Sequence, residues 1–142
     1  MGPASLGPPP PPCRWWSMPA SYRIDRDRGI VYSVATGVLT DDDLIAHQQR
    51  LAQDPDFKAD FRQLFDTRGV TQVEVTPGAL RHRADANPFG HGARRAVIAP
   101  GDVAFGLARL FQLTANARGH LDELHVFRSS EEARAWLGLP PE

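Results

Sequence analysis

Short apolar strand patterns alternate with capped helix patterns along most of this chain, and that alternation restricts its fold more than any other feature. Residues 22–25 and 30–35 alternate with a period of two around the turn residues Asp27-Arg28-Gly29, which predicts a β-hairpin with a charged edge strand. Further strands are predicted at 61–66, 95–99 and 122–127. Strands separated by helices indicate an α/β fold with a mostly parallel sheet of about five strands, whose first strand is an antiparallel edge.

Each of the four predicted helices begins after a residue whose side chain caps its first turn. The helices are predicted over about 41–53 after Thr40, to about Asn87 after Thr76-Pro77, over about 103–117 after Asp102, and from Ser129 to Gly138. Asp43 and Glu132 stand three residues after Thr40 and Ser129, which is the spacing of a capping box. The predicted order of elements is therefore β-β-α-β-α-β-α-β-α.

The first 19 residues differ in composition from the rest, because they contain seven of the 13 prolines. The proline run at 8–12 favours polyproline II and cannot join a helix interior or a central strand. We therefore predict a disordered, Pro-rich head over 1–19, a folded domain over 20–138 and a short tail over 139–142.

The head has two interpretations. In the first, Met18 is the natural start, so the head is either not native or a loose tail. In the second, Trp15 and Trp16 anchor a proline-rich ligand for an SH3-like partner. Deleting residues 1–17 is expected to leave the melting temperature nearly unchanged, since the first predicted strand follows them.

Composition argues against several classes of function. The single cysteine, Cys13, excludes an internal disulfide framework and a cysteine-based zinc site. A net charge of −1 argues against broad nucleic-acid binding, which needs a strongly basic surface. The apolar runs are only a few residues long, so no transmembrane segment is predicted. We predict a cytoplasmic protein with no cofactor and no metal.

The chain carries no familiar catalytic motif. It lacks a phosphate-binding loop, a nucleophile elbow and a C-x-x-C pair, and its five histidines do not have metal-binding spacing. His47 and His82 have polar neighbours on their helices and are predicted to be solvated, whereas His125 is predicted to pack under a helix. His91, in a glycine-flanked loop, is the histidine retained as a candidate proton donor. The acids at 41–43 are interpreted as helix-capping groups rather than a cation site.

The helix predicted over 103–117 has more apolar surface than a domain helix needs. Its polar residues Arg109, Gln112 and Asn116 form only a narrow line, whereas a surface helix of an α/β domain buries an apolar arc of about 100°. Three alternatives for covering the surplus are neighbouring helices, a second copy of the chain, and an apolar ligand or membrane. Arg109 is expected to face the partner or ligand edge, and Phe111→Asp is expected to separate a dimer.

Five segments carry a likeness to a known family. They are 37–44 (GVLTDDDL), 64–66 (LFD), 95–100 (RAVIAP), 105–111 (FGLARLF) and 126–128 (VFR), followed by Glu132-Ala133 and Trp136-Leu137. With these segments in this order, the chain over about 20–138 resembles the STAS superfamily, and within it the bacterial SpoIIAA-like branch. The resemblance implies a STAS-like fold and a protein-binding, regulatory role.

The resemblance also bears on Thr76. STAS switch proteins carry a phosphorylatable Ser just before a Gly, at the start of the helix that follows the central strand. Here Pro77 precedes Gly78 and Thr76 stands one place off, so Thr76 is either a phosphorylation site or a plain N-cap. The SpoIIAA-like branch is further likened to CRAL-TRIO lipid-binding folds, which implies an apolar ligand or a membrane surface as an alternative.

The candidate binding residues follow from the apolar helix and from the rule that ligands bind beyond the carboxyl ends of parallel strands. They are Asp66, Arg68, Thr76, Asp102, Phe105, Arg109, Phe111 and Arg128. Arg128, beside a predicted helix start, is the candidate for holding an anion. We predict a non-enzymatic regulatory or protein-binding module with a protein partner or a homodimer. The alternatives are a carrier or sensor of a small apolar ligand or lipid, and an enzyme that uses Asp66, His91 or Arg128.

Overall fold

The structure is a computed structural model that describes residues 20–90, 92–117 and 123–142. The predictions for the head over 1–19 and for His91 lie outside these residues. The strands are β1 (Ala20–Asp25), β2 (Ile30–Thr40), β3 (Arg62–Glu74), β4 (Arg94–Ile98) and β5 (Glu123–Phe127). The helices are α1 (Asp41–Ala52), α2 (Pro77–Asp85), α3 (Asp102–Ala117) and α4 (Ser130–Leu137).

The strands form one five-stranded sheet in the order β1-β2-β3-β4-β5. β1 pairs antiparallel to β2, with Asp25 opposite Ile30, and every other neighbouring pair is parallel. The hairpin turn contains Gly29 at a φ of +64°, a conformation that residues with a Cβ rarely adopt. The predicted α/β class, with an antiparallel edge strand, five strands and four helices, is confirmed.

Capping side chains are in place at α1, α2 and α4. Thr40 Oγ1 accepts a hydrogen bond from the Asp43 backbone N–H, and the Asp43 carboxylate accepts one from the Thr40 backbone N–H at 3.0 Å. Thr76 and Ser129 cap the starts of α2 and α4 through their hydroxyls. At α3 the prediction was wrong by one residue, because Asp102 is the first residue of the helix rather than the residue before it.

Different helices cover the two faces of the sheet. On one face, Ile30, Leu64 and Ile98 pack against Ala133 and Leu137 of α4. On the other face, α1, α2 and α3 pack against the alternate side chains of the same strands. This division follows from the strand order, since right-handed crossovers that progress in one direction place their helices on the same side of a sheet.

β2 and β3 continue well past the ends predicted for them. Residues 36–40 pair with 69–74, whereas β4 pairs with β3 only as far as Asp66 opposite Ile98. The outer parts of these two strands, 36–40 and 67–74, therefore form a parallel ribbon beyond β4, which we call the β2–β3 extension. The prediction that the third strand ends at Asp66 was wrong, because the strand continues past its buried apolar run by pairing with the second half of β2.

The prediction that His47 is solvated was also wrong. His47 is 1% exposed, and its Nε2 lies 3.0 Å from Ser33 Oγ. The Gln63 side-chain amide donates a hydrogen bond to the same hydroxyl at 3.0 Å. The sheet thus presents polar groups beneath α1, and burial of a polar side chain is tolerated where it is hydrogen-bonded. His82 is exposed as predicted, and the ring of His125 lies 4.6 Å from that of Trp136 on α4.

Candidate functional site

A groove separates the β2–β3 extension from the first half of α3. Val70 and Val73 of the extension form one wall, and Ala104 and Leu107 of α3 form the other. Its floor consists of apolar side chains from five other elements and from α3 itself: Leu39, Leu44, Phe65, Leu80, Val97 and Phe111. The groove therefore exists because the extension continues past β4 and leaves α3 without a strand beneath its first half.

The groove has a narrow interior and a wide mouth. The interior is a cavity of about 60 Å³ whose lining is apolar except for Thr67. The mouth is an open cavity of about 530 Å³ that adds the polar residues Arg68, Thr71, Gln72 and Asp102. Benzene fills a cavity of about 150 Å³, so the interior in this conformation admits one short aliphatic group rather than a ring.

Three large apolar side chains of α3 stand in solvent, and the first of them, Val103, also lines the groove mouth. Val103, Leu110 and Leu113 are 72%, 42% and 57% exposed. They lie at positions i, i+7 and i+10, so they share one side of the helix. We call this row the α3 stripe. The prediction that α3 has surplus apolar surface is met by these side chains, and the neighbouring helices do not cover them.

The other predicted residues of α3 divide between its sides. Phe111 is 6% exposed and forms part of the groove floor rather than an outer surface. The proposed Phe111→Asp test of a dimer therefore fails in its design, because it places a carboxylate in the core. Phe105 lies beneath the guanidinium of Arg128, which is 4.2 Å from its ring centroid. Arg109 is exposed, next to the α3 stripe.

Arg68 is held between two carboxylates. Its Nη2 donates to Asp66 Oδ2 at 2.8 Å and to Glu142 Oε2 at 2.7 Å. The hydrogen bonds from Arg68 lower the pKa of Glu142 below its ordinary value, and those to Asp66 and Glu142 raise the pKa of Arg68. Glu142, which the sequence argument placed in a plain tail, is part of this cluster, and Leu139 before it is buried against α4.

Arg128 forms an ion pair with a carboxylate of the same chain. Its Nη1 donates to Asp102 Oδ1 at 2.8 Å and to the carbonyl of Pro100 at 3.1 Å. The carboxylate of Asp102 therefore lies against the guanidinium at which the sequence analysis predicts an anion site. This ion pair is solvent-exposed, so it contributes little to the free energy of unfolding. It does hold the start of α3 next to the end of β5.

Thr76 is tied to α1. Its backbone N–H donates to Asp41 Oδ1 at 2.7 Å, its hydroxyl donates to Asp41 Oδ2 at 2.8 Å, and Oγ1 accepts from the Ala79 backbone N–H. The Asp41 carboxylate thus occupies the position that a bound anion would take at the start of α2. A phosphate on Thr76 would lose this hydrogen bond and stand against Asp41, so the geometry favours the N-cap role.

The eight predicted residues therefore do not converge on one point. Arg68 and Asp102 line the groove mouth and Phe111 lines its floor, whereas the Asp41–Thr76 pair and the Arg128–Phe105 pair lie outside the lining. Val70 and Val73, on the strand side of the groove, were not predicted from the sequence, because the predicted third strand ends at Asp66. The β-branched residues of 67–73 were the signal that a strand continued there.

Within the part of the chain that the structure describes, no three His, Cys, Asp or Glu side chains are grouped to hold a metal ion. A membrane-spanning helix is likewise absent from these residues, since none of their helices is long and apolar enough.

Comparison with known proteins identifies the fold. No protein-family model matches the chain, and no curated protein matches it. A solved structure does: the crystal structure of an uncharacterized DUF3478-family protein with a SpoIIAA-like fold, from Shewanella loihica PV-4. The match has a TM-score of 0.54 and 18% sequence identity, and it covers 83% of this chain and 93% of that chain. The chain has a SpoIIAA-like fold, as its resemblance to the STAS superfamily implied.

Proposed function

We propose that this chain is a non-enzymatic binding module that docks a protein partner on the α3 stripe and in the adjoining groove. The observation that carries the proposal is the exposure of Val103, Leu110 and Leu113 in one row. Contiguous exposed apolar surface beside polar residues marks interaction sites in monomeric proteins. Helix-in-groove recognition likewise uses apolar anchors in a row along one side of a helix.

The polar candidates support binding over catalysis. Asp66, Arg68 and Glu142 form one closed cluster, and Asp102 with Arg128 forms another. A catalytic site needs groups that converge on one position where a reacting atom can sit. Here the charged groups pair with one another instead, and the apolar surfaces are what remain open to a partner.

A second function is favoured by one specific observation. The groove interior lies between the sheet and α3 and is almost wholly apolar, which is where a carrier of a small apolar ligand would hold it. Ligand sites for drug-sized molecules measure roughly 300–1,000 Å³. The interior would have to widen several-fold to receive a lipid chain, and for this reason the protein partner is the first proposal.

Photo-crosslinking tests the proposal. We would place p-benzoylphenylalanine at Leu113 in the full chain and, as a matched control, at the exposed Glu131 on the opposite face of the sheet. The expected result is a discrete protein adduct from position 113 that position 131 does not give. Leu110→Asp, with its fold checked by circular dichroism, is expected to abolish the adduct. Equal adducts at both positions contradict the proposal.

Native mass spectrometry of the full chain separates the two functions. A bound small molecule that is retained in wild type and lost in Ala104→Leu, which fills the groove interior, would support the ligand carrier. An adduct of protein mass, or of a second copy, supports the binding module. A bare monomer together with no adduct at position 113 would overturn both functions.

A further inference from the structure

We propose that the partner which docks on the α3 stripe is a second copy of this chain, with the two α3 helices packed antiparallel around a two-fold axis at position 108. This inference rests on the proposed function and names its partner. Three observations support it: the spacing of the exposed residues of α3, the symmetry of that spacing, and the glycine within it.

The exposed apolar residues of α3 have the spacing of a helix–helix seam. Gly106 is exposed and stands between Val103 and Leu110 of the α3 stripe, and Leu113 follows. These four positions, which we call the α3 seam, are separated by 3, 4 and 3 residues. That alternation keeps side chains on a narrow line along which two helices pack lengthwise. A second helix that runs along α3 is the surface which this spacing fits.

The α3 seam is symmetric about position 108. Val103 and Leu113 lie five positions on either side of it, and Gly106 and Leu110 lie two positions on either side. In an antiparallel pair centred there, Val103 faces Leu113 of the second copy, and Gly106 faces Leu110 of the second copy. One contact thus covers all three side chains of the α3 stripe. A seam that served an unrelated helix would not need this symmetry.

A shift of the pair along the helix fits less well. Moved by one heptad, the second copy brings Leu110 opposite Leu113 and leaves Val103 without a mate. Val103 is the most exposed of the three stripe residues, and it lines the groove mouth. The centre at position 108 instead places Leu113 of the second copy against Val103, at the groove mouth.

Gly106 is explained by the second copy and not by contacts within one copy. A glycine inside a helix is less favourable than an alanine, and a Cβ at Gly106 would meet nothing within 4 Å. Two helices approach most closely where a side chain is missing. In the proposed pair, Leu110 of the second copy fills the space over Gly106, and the two-fold axis repeats this contact.

The interface is small, so the dimer is reversible. α3 has 16 residues and is about 24 Å long, and the α3 seam covers only part of that length. Stable complexes bury about 1,200–2,000 Å² of total surface, and a single pair of short helices lies at or below the lower limit. We therefore expect a dissociation constant above about 10 µM, so that dilute solutions contain monomers.

Arg109 reports on the register of the pair. It is exposed and stands one position from the two-fold axis, on the flank of the α3 seam. The two copies of Arg109 therefore lie side by side and repel each other weakly. A glutamate at one of the two positions would convert this repulsion into attraction.

Sedimentation velocity of the full chain over a wide range of concentration tests for the dimer. Gly106→Leu is expected to raise the dissociation constant at least about tenfold, although it adds an apolar side chain to the α3 seam. Ala135→Leu adds the same side chain at an exposed position of α4 and is the control, expected to change nothing. Circular dichroism checks that both variants are folded. An unchanged or tighter dimer in Gly106→Leu would overturn the inference.

Photo-crosslinking gives the direction of the two helices. With p-benzoylphenylalanine at position 113 and concentrated protein, the adduct is expected on the part of α3 that contains Val103. Trypsin cuts after Arg95, Arg109 and Arg118, so this adduct lies in the peptide 96–109. A self-adduct confined to the peptide 110–118 would indicate parallel helices and contradict the proposed pair.

Mixing wild type with Arg109→Glu tests the register. Native mass spectrometry at low salt is expected to show the mixed dimer about three- to fivefold tighter than either self-pair. This preference is expected to shrink at high salt, because exposed charges are screened there. A mixed dimer no tighter than the two self-pairs would show that the two copies of Arg109 do not meet.

The failure of this inference is distinguishable from the failure of the proposed function. A chain that stays monomeric at all concentrations, together with a different protein crosslinked at position 113, leaves the function standing and removes the second copy as the partner. A monomer that gives no adduct at position 113 removes both.

Discussion

The two helices α3 and α4 lie on opposite faces of the same sheet and treat their apolar residues in opposite ways. α4 has eight residues, is capped by Ser129 and by Gly138 in the left-handed conformation, and buries Ala133 and Leu137. Its outer side is charged. α3 is twice as long and buries Phe111 and Ala115, while its three stripe residues remain in solvent.

The difference shows that the chain can place charged residues on the exposed side of a helix. Glu131, Glu132 and Arg134 give α4 a charged outer side in only eight residues. α3, with twice the length, carries only Asp102 and Arg109 as charged groups. The exposed apolar row is thus a local property of α3 and not a consequence of a chain poor in charge. We therefore expect α3, rather than α4, to contact a binding partner.

The largest expected effect on the free energy of unfolding is at α4. Leu137→Ala removes a side chain that is 2% exposed in the α4 cluster, and we expect it to lower the free energy of unfolding by about 2–5 kcal/mol. Urea denaturation followed by circular dichroism measures this. A loss under about 1 kcal/mol would mean that α4 is packed no better than the stripe and would break the comparison.

The glycines of the two helices give a matched pair with opposite signs. Gly138 has a φ of +75°, so Gly138→Ala is expected to destabilise by about 1–2 kcal/mol. Gly106 lies inside α3, and a Cβ there would meet nothing within 4 Å. Gly106→Ala is therefore expected to stabilise by about 0.5–1 kcal/mol. Destabilisation by Gly106→Ala in thermal melts would show that this side of α3 is closely covered.

Tyr22 tests a third contact, between β1 and the end of α1. Its hydroxyl donates to Asp54 Oδ2 at 2.7 Å, and burial together with this hydrogen bond raises its pKa from 10.0 to about 12. A raised pKa means that the contribution is complete below about pH 10 and is lost as the pH rises towards 12. We expect Tyr22→Phe to cost about 1 kcal/mol at neutral pH.

The pH dependence of that cost is the sharper measurement. The difference in free energy of unfolding between wild type and Tyr22→Phe should stay constant up to about pH 10 and narrow above it. Urea titrations at a series of alkaline pH values give the difference directly. Parallel curves across this range would show that the hydrogen bond to Asp54 does not distinguish folded from unfolded Tyr22.

The smallest expected effect is on the α3 stripe. Leu110→Asp and Leu113→Asp each replace an exposed apolar side chain, and we expect each to change the free energy of unfolding by at most about 0.5 kcal/mol. Thermal melts and solubility measured together test this. A loss above about 1 kcal/mol would show that the stripe belongs to the core, and the contrast with α4 would fail.

The sequence predicted the fold well because its signals are local. Helix starts are marked within a few residues of chain by Thr40 with Asp43, by Thr76 with Pro77, and by Ser129. In the structure Thr40, Thr76 and Ser129 each cap a helix. Alternating apolar residues likewise locate the beginning of β2, and a short run of apolar residues locates β4. Local order of this kind is readable without knowing what lies across the sheet.

The groove was not predictable in the same way, because it depends on residues distant in sequence. Val70 and Val73 become a wall only once residues 69–74 pair with 36–40 of β2, which lie far from them in the sequence. The prediction that His47 is solvated was wrong for a similar reason, since its burial depends on Ser33 and Gln63 in the strands beneath it. Both the groove wall and the burial of His47 therefore depend on contacts between residues that are distant in sequence.

The match between strand order and chain order has a consequence for how the molecule is made. Each new strand joins the edge left by the one before it, so no strand has to insert between two that are already paired. A chain emerging from the ribosome can therefore build its sheet in the direction of synthesis. α4 with Leu139 follows all five strands in the sequence and covers the face that stays open until then. Incomplete chains would expose that face together with the outer edge of β4, and these nascent forms are where aggregation would start.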